Sequence, residues 1–172
     1  MTGITSATEA KEIANQLLNN KEMAMASIYF KYYLHQALIK AGLGNDYLKW
    51  LDKWRENIKM GLTTWAETSD VDKTRSDCHA WGSSPNIEFY RTILGIDSDG
   101  LGFSKVKIQP HLGDFTDIGG SIPHPNGSIT ANYKLQNGQW KVQIELPQST
   151  TGNLVWKGKT IALKAGKNLF NL

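Results

Sequence analysis

The sequence has only one cysteine, Cys78, and no long apolar segment. One cysteine excludes an internal disulfide and an all-cysteine metal site, and it leaves the redox compartment open. No apolar run approaches the ~18 residues that a membrane-spanning helix needs. The first residues, MTGITSATEAKEI, have no apolar core of the kind found in secretory signals. The net charge is only +3, with Lys and Arg spread along the chain. We therefore expect neither a membrane nor a nucleic acid as a partner.

The length and the apolar content limit the number of domains. With 172 residues, of which 40% are hydrophobic, the chain can bury the core of one domain, or of one domain and a smaller second one. The spacing of the apolar residues changes along the chain and divides it into two parts. We predict helical hairpins over residues 1–96 and an antiparallel β-sandwich over residues 97–172, which makes a two-part α+β chain.

Apolar residues of the first part recur with helical spacing. Ser6 or Thr8 can cap a first helix that ends near Asn19. Glycines at positions 42, 61 and 95 are expected to end three further helices. The apolar faces of these helices are Phe30, Tyr33, Leu34, Ala37, Leu38 and Ala41, then Tyr47, Leu51, Trp54 and Ile58, and then Ile87, Tyr90, Ile93 and Leu94. The four helices form either a small bundle or the end of a larger helical array.

From residue 100 onward the apolar period is two. Asn137-Gly138 predicts a type I′ hairpin turn, because both central positions of that turn need a positive φ. Folding the chain there brings together four apolar pairs on one face: Leu135 with Trp140, Tyr133 with Val142, Ala131 with Ile144, and Ile129 with Leu146. A second hairpin over 154–163 and a strand in KVKIQP (105–110) complete the strongest signals. About six or seven short strands indicate a sandwich.

Two neighbouring loops, GLTTWAETSD (61–70) and TRSDCHAWGSSP (74–85), carry the residues that are suited to chemistry. Glu67 follows Trp65 directly after a predicted helix. A carboxylate beside an aromatic ring is the combination used in sugar chemistry, since the ring packs on C–H faces and the carboxylate activates water. From the spacing alone, however, Glu67 is better explained as a solvated loop acid or a helix cap.

Other reactive residues of the two loops have simpler explanations. The cluster of Asp70, Asp72 and Asp77 lacks the twelve-residue pattern of a calcium loop, so capping and turn formation account for it better. Cys78 and His79 are adjacent and point in different directions, and zinc would need further ligands that are absent. We therefore expect neither a cysteine nucleophile nor a bound metal. His79 is either a hydrogen-bonding residue of a polar cleft or a core histidine.

Five segments resemble, in this order, the C-terminal region of bacterial α-L-rhamnosidases: FKYYLHQALIKAG, TTWAE, TRSDCHAWGSSP, FYRTILGI and GLGFSKVKIQPHLGDFTDIGGSIPHPNGSITANY. The resemblance implies an inverting glycoside hydrolase without a cofactor. Its catalytic domain is an (α/α)₆ toroid of six helical hairpins, followed by a β-sandwich. The position of the family's general base is Glu67, His79 lines the rhamnose pocket, and Trp65 and Trp81 form its walls.

The resemblance also implies what is missing. The toroid needs twelve helices, whereas the sequence predicts four. The family's general acid belongs to an upstream motif rich in Asp, Glu and Arg, and no such motif precedes residue 60. We expect a C-terminal fragment that is inactive alone, with an exposed apolar helical face that favours a homo-oligomer. The partners are L-rhamnose-containing glycosides. The full-length protein is expected to be periplasmic or secreted, with a cytoplasmic location as the alternative.

Two other functions compete with the hydrolase. The chain can be a non-catalytic module that binds carbohydrate or serves as a scaffold for a partner chain. It can also be a helical-repeat adaptor that carries a sandwich domain. The polar and aromatic loops at 61–70 and 74–85 favour the hydrolase, because a scaffold needs no such residues.

Overall fold

The computed structural model describes residues 4–73 and 76–172. By its internal contacts the chain divides into two compact units, Met1–Ile87 and Glu88–Leu172. The first unit is helical and the second is built mainly of strands. The domain boundary that we expect after residue 96 stays a prediction. Among the described residues, none of the helices has the length and apolar character needed to cross a lipid bilayer.

The described residues contain four α-helices, and 3₁₀ or π turns occur in some of the segments between them. The helices are α1 (Ala7–Asn19), α2 (Ile28–Leu38), α3 (Asp52–Lys59) and α4 (Ser84–Glu88). Ser6 caps α1: its hydroxyl accepts from the Glu9 amide, and the Glu9 carboxylate accepts from the Ser6 amide at 2.8 Å. This reciprocal pair is a capping box and confirms Ser6 as the helix start.

The buried side of α2 agrees with the predicted one at Leu38 but not at Phe30 and Tyr33. Ile28, His35 and Leu38 are buried, whereas Phe30 and Tyr33 of the predicted face are 59% and 45% exposed. A helical stripe shows which residues share a side, but not which of two apolar sides packs on the rest of the unit. The helix continues into a π turn, Ile39–Leu43, and changes direction at Gly42, where φ is +88°.

The third predicted helix is divided. Residues Gly44–Trp50 form a 3₁₀ turn and α3 begins only at Asp52. This break surrounds the buried His35 with three aromatic rings. The ring centroids of Tyr47, Trp50 and Trp54 lie 5.5, 5.4 and 5.8 Å from that of His35.

Eight strands, counted over the described residues, form two four-stranded sheets. They are β1 (Ile96–Ser98), β2 (Lys105–Ile108), β3 (Asp117–His124), β4 (Gly127–Gln136), β5 (Gln139–Leu146), β6 (Thr151–Trp156), β7 (Lys159–Leu163) and β8 (Gly166–Asn171). One sheet has the order β1-β2-β6-β7 and the other β3-β4-β5-β8. Apolar side chains of both sheets form one buried core, which confirms the sandwich.

The strand pairing follows the sequence pattern closely, with one exception. Asn137 and Gly138 have φ of 50° and 78°, as a type I′ turn requires. The β4–β5 register contains three of the four expected apolar pairs and begins at Thr130 with Glu145, one residue short of the fourth. The second hairpin is β6–β7. The exception is β2 with β6, which run parallel and not antiparallel as predicted.

The parallel β2–β6 pair is unusually close at one residue. A Cβ on Gly152 would lie 2.1 Å from the Val106 carbonyl oxygen, so only glycine fits there. On the other sheet, the fully buried Tyr133 donates its hydroxyl proton to the Leu94 carbonyl at 2.7 Å. That bond fixes the chain leading into β1 against the sandwich core.

Candidate active site

The loops at 61–70 and 74–85 lie against each other through backbone hydrogen bonds. The amide of Glu67 donates to the Ser76 carbonyl at 2.8 Å, and the amide of His79 donates to the Trp65 carbonyl at 2.9 Å. The Thr64 hydroxyl donates to the Asp77 carbonyl. The two loops therefore hold each other in register, and residues far apart in the sequence become neighbours.

Trp81 links the two predicted functional residues. Its indole N–H donates to the backbone carbonyl of Glu67 at 2.8 Å. Its ring lies against the imidazole of His79, with the centroids 4.1 Å apart and the planes tilted by 41°. Glu67, His79 and Trp65 are half-buried, and Trp81 is 43% exposed. The structure thus brings all four predicted site residues, Glu67, His79, Trp65 and Trp81, onto one pair of loops.

Small residues allow this close approach. Ala66 is fully buried. A Cβ on Gly82 would lie 2.8 Å from the Cβ of Trp65 and 3.1 Å from the Ala66 carbonyl oxygen. The carbonyl of Gly82 accepts a hydrogen bond from the indole of the buried Trp54 at 2.5 Å. Gly82 is therefore the contact point between α3 and the second loop, and a larger residue there would separate the loops.

An aromatic cleft adjoins Trp81. Tyr29 and Tyr33, one turn apart on α2, share a hydrogen bond between their hydroxyls at 3.2 Å. The Tyr29 and Trp81 ring centroids are 5.4 Å apart. The cleft has a volume of about 450 Å³ and also includes Asn86 of α4 and residues of the loop before α4. Sequence reasoning missed it, although the crowded aromatics of SIYFKYY were a signal.

Asp70, one of the acidic residues of the loops, stabilises a turn. Asp70 pairs with Lys73 at 2.9 Å, and its backbone carbonyl accepts from the Thr68 hydroxyl at 2.7 Å. The hydrogen bond from Lys73 lowers the pKa of the Asp70 carboxyl. Within residues 4–73 and 76–172, no group of three or more His, Cys, Asp or Glu side chains could hold a metal ion. The thiol of Cys78 is exposed.

The loop pair offers a definite set of chemical groups. A half-buried glutamate, a half-buried histidine and an exposed tryptophan lie on the paired loops, and the tryptophan contacts both of the others. A carboxylate can take a proton from water, an imidazole can hydrogen-bond a hydroxyl, and an indole can pack on the C–H face of a sugar ring. These groups suit the handling of a sugar and one water molecule.

Comparisons with known proteins point to one family. Residues 95–169 match the family model described as the bacterial α-L-rhamnosidase C-terminal domain. No curated protein sequence matches the chain. This match confirms the resemblance stated from the sequence for residues 95–169. Solved structures that cover most of the chain show the same fold.

Three solved structures illustrate the similarity. An α-L-rhamnosidase from Aspergillus terreus is 19% identical over 96% of this chain, with a TM-score of 0.81. A rhamnosidase of family GH78 from Bacillus sp. GL1 is 27% identical over 83%, with a TM-score of 0.75. An α-L-rhamnosidase from Dictyoglomus thermophilum is 17% identical over 94%, with a TM-score of 0.78. The chain covers 21%, 16% and 22% of these three proteins, about a fifth of their length.

Proposed function

We propose that this chain is the C-terminal part of a bacterial α-L-rhamnosidase, because residues 95–169 match the model of the C-terminal domain of these enzymes. The complete enzyme hydrolyses terminal α-L-rhamnose from glycosides or polysaccharides with inversion. The helices of Met1–Ile87 are then the last hairpins of an (α/α)₆ toroid. The fold similarity over most of the chain supports this assignment.

We assign Glu67 as the general base and place His79, Trp65 and Trp81 in the rhamnose pocket. The observation that carries the assignment is the contact of Trp81 with both other residues, through the Glu67 carbonyl at 2.8 Å and the His79 ring at 4.1 Å. A base, a hydrogen-bonding ring and a stacking ring within one loop pair are what a sugar pocket needs. A scaffold would not need them.

An inverting reaction uses two carboxyl groups about 6.5–9.5 Å apart, with the attacking water between one of them and the sugar. Glu67 takes a proton from this water as its oxygen bonds to the anomeric carbon. A carboxylic acid on the other side protonates the leaving oxygen as the glycosidic bond breaks. The 172-residue sequence does not contain the motif of that acid, so we expect this chain to be inactive by itself.

The test has a catalytic part and a binding part. The purified 172-residue chain should not turn over an aryl α-L-rhamnoside. L-Rhamnose should nevertheless shift the NMR signals of His79 and the Trp indoles. His79→Ala should abolish those shifts, and Asp77→Asn, which changes an exposed carboxylate of the same loop, should preserve them.

Each contrary result has its own meaning. Turnover by the chain alone, lost in Glu67→Gln, would show that the acid is present after all. Absence of any rhamnose-induced shift would favour the scaffold function over the hydrolase. In a longer protein that includes this chain, Glu67→Gln should lower kcat about 10²–10⁴-fold, since general base catalysis contributes that much.

We also propose that exposed apolar side chains of α1 and α2 form a contact surface for another protein chain. Ile13, Leu17 and Leu18 on α1 and Phe30 on α2 are between 37% and 59% exposed. Apolar clusters of this kind mark association sites. A second copy of the chain is the expected partner when the chain is alone. Light scattering should then show a dimer, which Leu17→Glu together with Ile13→Glu should dissociate.

A further inference from the structure

The aromatic cleft beside Trp81 has features that packing alone does not require. Tyr29, Tyr33 and Trp81 are 38%, 45% and 43% exposed, although each is large and mainly apolar. They contact each other edge-on or tilted, with centroid distances of 5.4–5.8 Å. Part of each ring therefore remains accessible around an open space of about 450 Å³. An exposed aromatic surface of this kind can pack against the ring of a ligand.

Polar side chains also line the cleft. Ser84 lines it, and the Ser84 hydroxyl is buried without a hydrogen-bond partner among the described residues. A buried hydroxyl without a partner is destabilising, and such groups normally find a partner in the protein, in water or in a ligand. Asn86, on the same wall, is exposed and can both donate and accept. Hydroxyl groups of a ligand would bond to Asn86 directly, and rotation of the Ser84 hydroxyl toward the cleft would bring this buried group to them as well.

The charge of the cleft restricts the ligand further. Among the residues that the structure describes, those that line it are aromatic, aliphatic or uncharged polar, and the polar ones are tyrosines, serines and one asparagine. A charged ligand would lose its hydration there without gaining a counter-charge. The ligand is therefore a neutral ring with an apolar face and hydroxyl groups at its edge.

We propose that this cleft is the subsite for the leaving group, that is, for the ring to which the rhamnose is attached. The link is Trp81, which lines the cleft and also contacts His79 and the backbone of Glu67. A ring that packs on Tyr29, Tyr33 and Trp81 would be bonded to a sugar that lies beside Glu67 and His79. The inference rests on the proposed function, because it takes the loop pair to be the rhamnose site.

Two sources supply such a ring, a neutral sugar and a phenolic aglycone, and the experiment separates them. The 172-residue chain is titrated with methyl α-L-rhamnoside, phenyl α-L-rhamnoside and a rhamnosyl-glucose disaccharide, and binding is followed by Trp indole NMR shifts. At least one of the two larger ligands should bind about 10-fold or more tightly than the methyl glycoside. Stacking of one ring commonly contributes this much. The ligand with the higher affinity shows which kind of ring the cleft prefers.

Variants of the chain show which residues cause the increase in affinity. Tyr33→Ala should remove it, and Phe30→Ala should keep it, since Phe30 is a neighbouring exposed aromatic of α2 that does not line the cleft. Ser84→Ala should reduce the gain about three- to tenfold without loss of stability, because it removes an unpartnered hydroxyl. This variant tests the cleft without disturbing the fold.

The remaining outcomes overturn one proposal or the other. Equal binding of all three ligands, or a gain that survives in Tyr33→Ala, overturns the leaving-group subsite but leaves the rhamnose site intact if His79→Ala abolishes binding. Phenol and glucose are titrated as well. If either of them binds, Tyr33→Ala prevents that binding and methyl rhamnoside does not bind, then the cleft binds rings but the proposed rhamnose site is wrong. If none of these ligands binds, both proposals fail.

Discussion

The indole N–H of Trp81 donates a hydrogen bond to the backbone carbonyl of Glu67, at an N–O distance of 2.8 Å. The two residues are fourteen positions apart in two different loops. The bond fixes the backbone at Glu67 and, through the ring contact of Trp81, the position of His79. The geometry of the proposed site therefore depends on a side chain that itself performs no proton transfer.

We predict that Trp81→Phe loosens the loops without unfolding the helical unit. Phenylalanine keeps a ring beside His79 but cannot donate to Glu67. The free energy of unfolding should fall by about 0.5–1.5 kcal/mol, the usual net value of one hydrogen bond. The amides of Glu67 and His79 should exchange hydrogen faster. Trp50→Phe is the control, since Trp50 packs on the rings of His35 and Tyr47. Unchanged protection in Trp81→Phe would contradict the prediction.

We predict a larger loss of stability for Gly82→Ala. Its Cβ would lie 2.8 Å from the Cβ of Trp65, an atom that cannot move without its backbone. Overpacking of this kind costs about 1–3 kcal/mol. At Gly100 the nearest atom to an added Cβ is the rotatable Ser104 hydroxyl, and the backbone is extended, so Gly100→Ala should be tolerated. Urea unfolding of both variants measures the difference, and equal stabilities would refute it.

The sandwich was more predictable from the sequence than the helices. In β4 and β5 the turn residues and the apolar alternation agree with each other, so they define both the strands and their register. The parallel β2–β6 pair was not predictable. It joins strands that are more than forty residues apart, and its marker, Gly152, looks in the sequence like an ordinary turn residue.

In the helical unit, the spacing of apolar residues predicted only in part which side chains are buried. Phe30 and Tyr33 have helical spacing yet are exposed, and the buried side of α2 includes the polar His35. The site residues were found only through the resemblance, since spacing alone allowed Glu67 to be a solvated acid. That Glu67 and His79 share a neighbour in Trp81 depends on hydrogen bonds between loops, which leave no periodic signal. Their catalytic roles stay predictions.

We predict that Tyr133→Phe destabilises the sandwich by about 1–2 kcal/mol. The variant keeps the buried ring but leaves the Leu94 carbonyl without its hydroxyl donor. Burial also raises the pKa of the Tyr133 hydroxyl, so its phenolate absorbance should be absent in alkaline solution as long as the unit stays folded. Tyr90→Phe, at a 37% exposed tyrosine of the same unit, should change stability by less than about 0.5 kcal/mol. A similar loss in both variants would argue against the Leu94 bond.

We predict that acid weakens the helical unit through His35. Burial, and secondarily the charge of Lys31, lowers the pKa of His35 from 6.5 to about 4. As the pH falls, the unfolded chain therefore takes up a proton at this histidine before the folded chain does. The contribution of neutral His35 to the free energy of unfolding is complete above pH 6.5 and is lost as the pH falls from 6.5 to 4. At about 1.4 kcal/mol for each pKa unit, the loss is of order 3 kcal/mol. His35→Gln should be less stable at neutral pH but show a flatter pH dependence in urea unfolding. An equally steep dependence in this variant would assign the effect to another group.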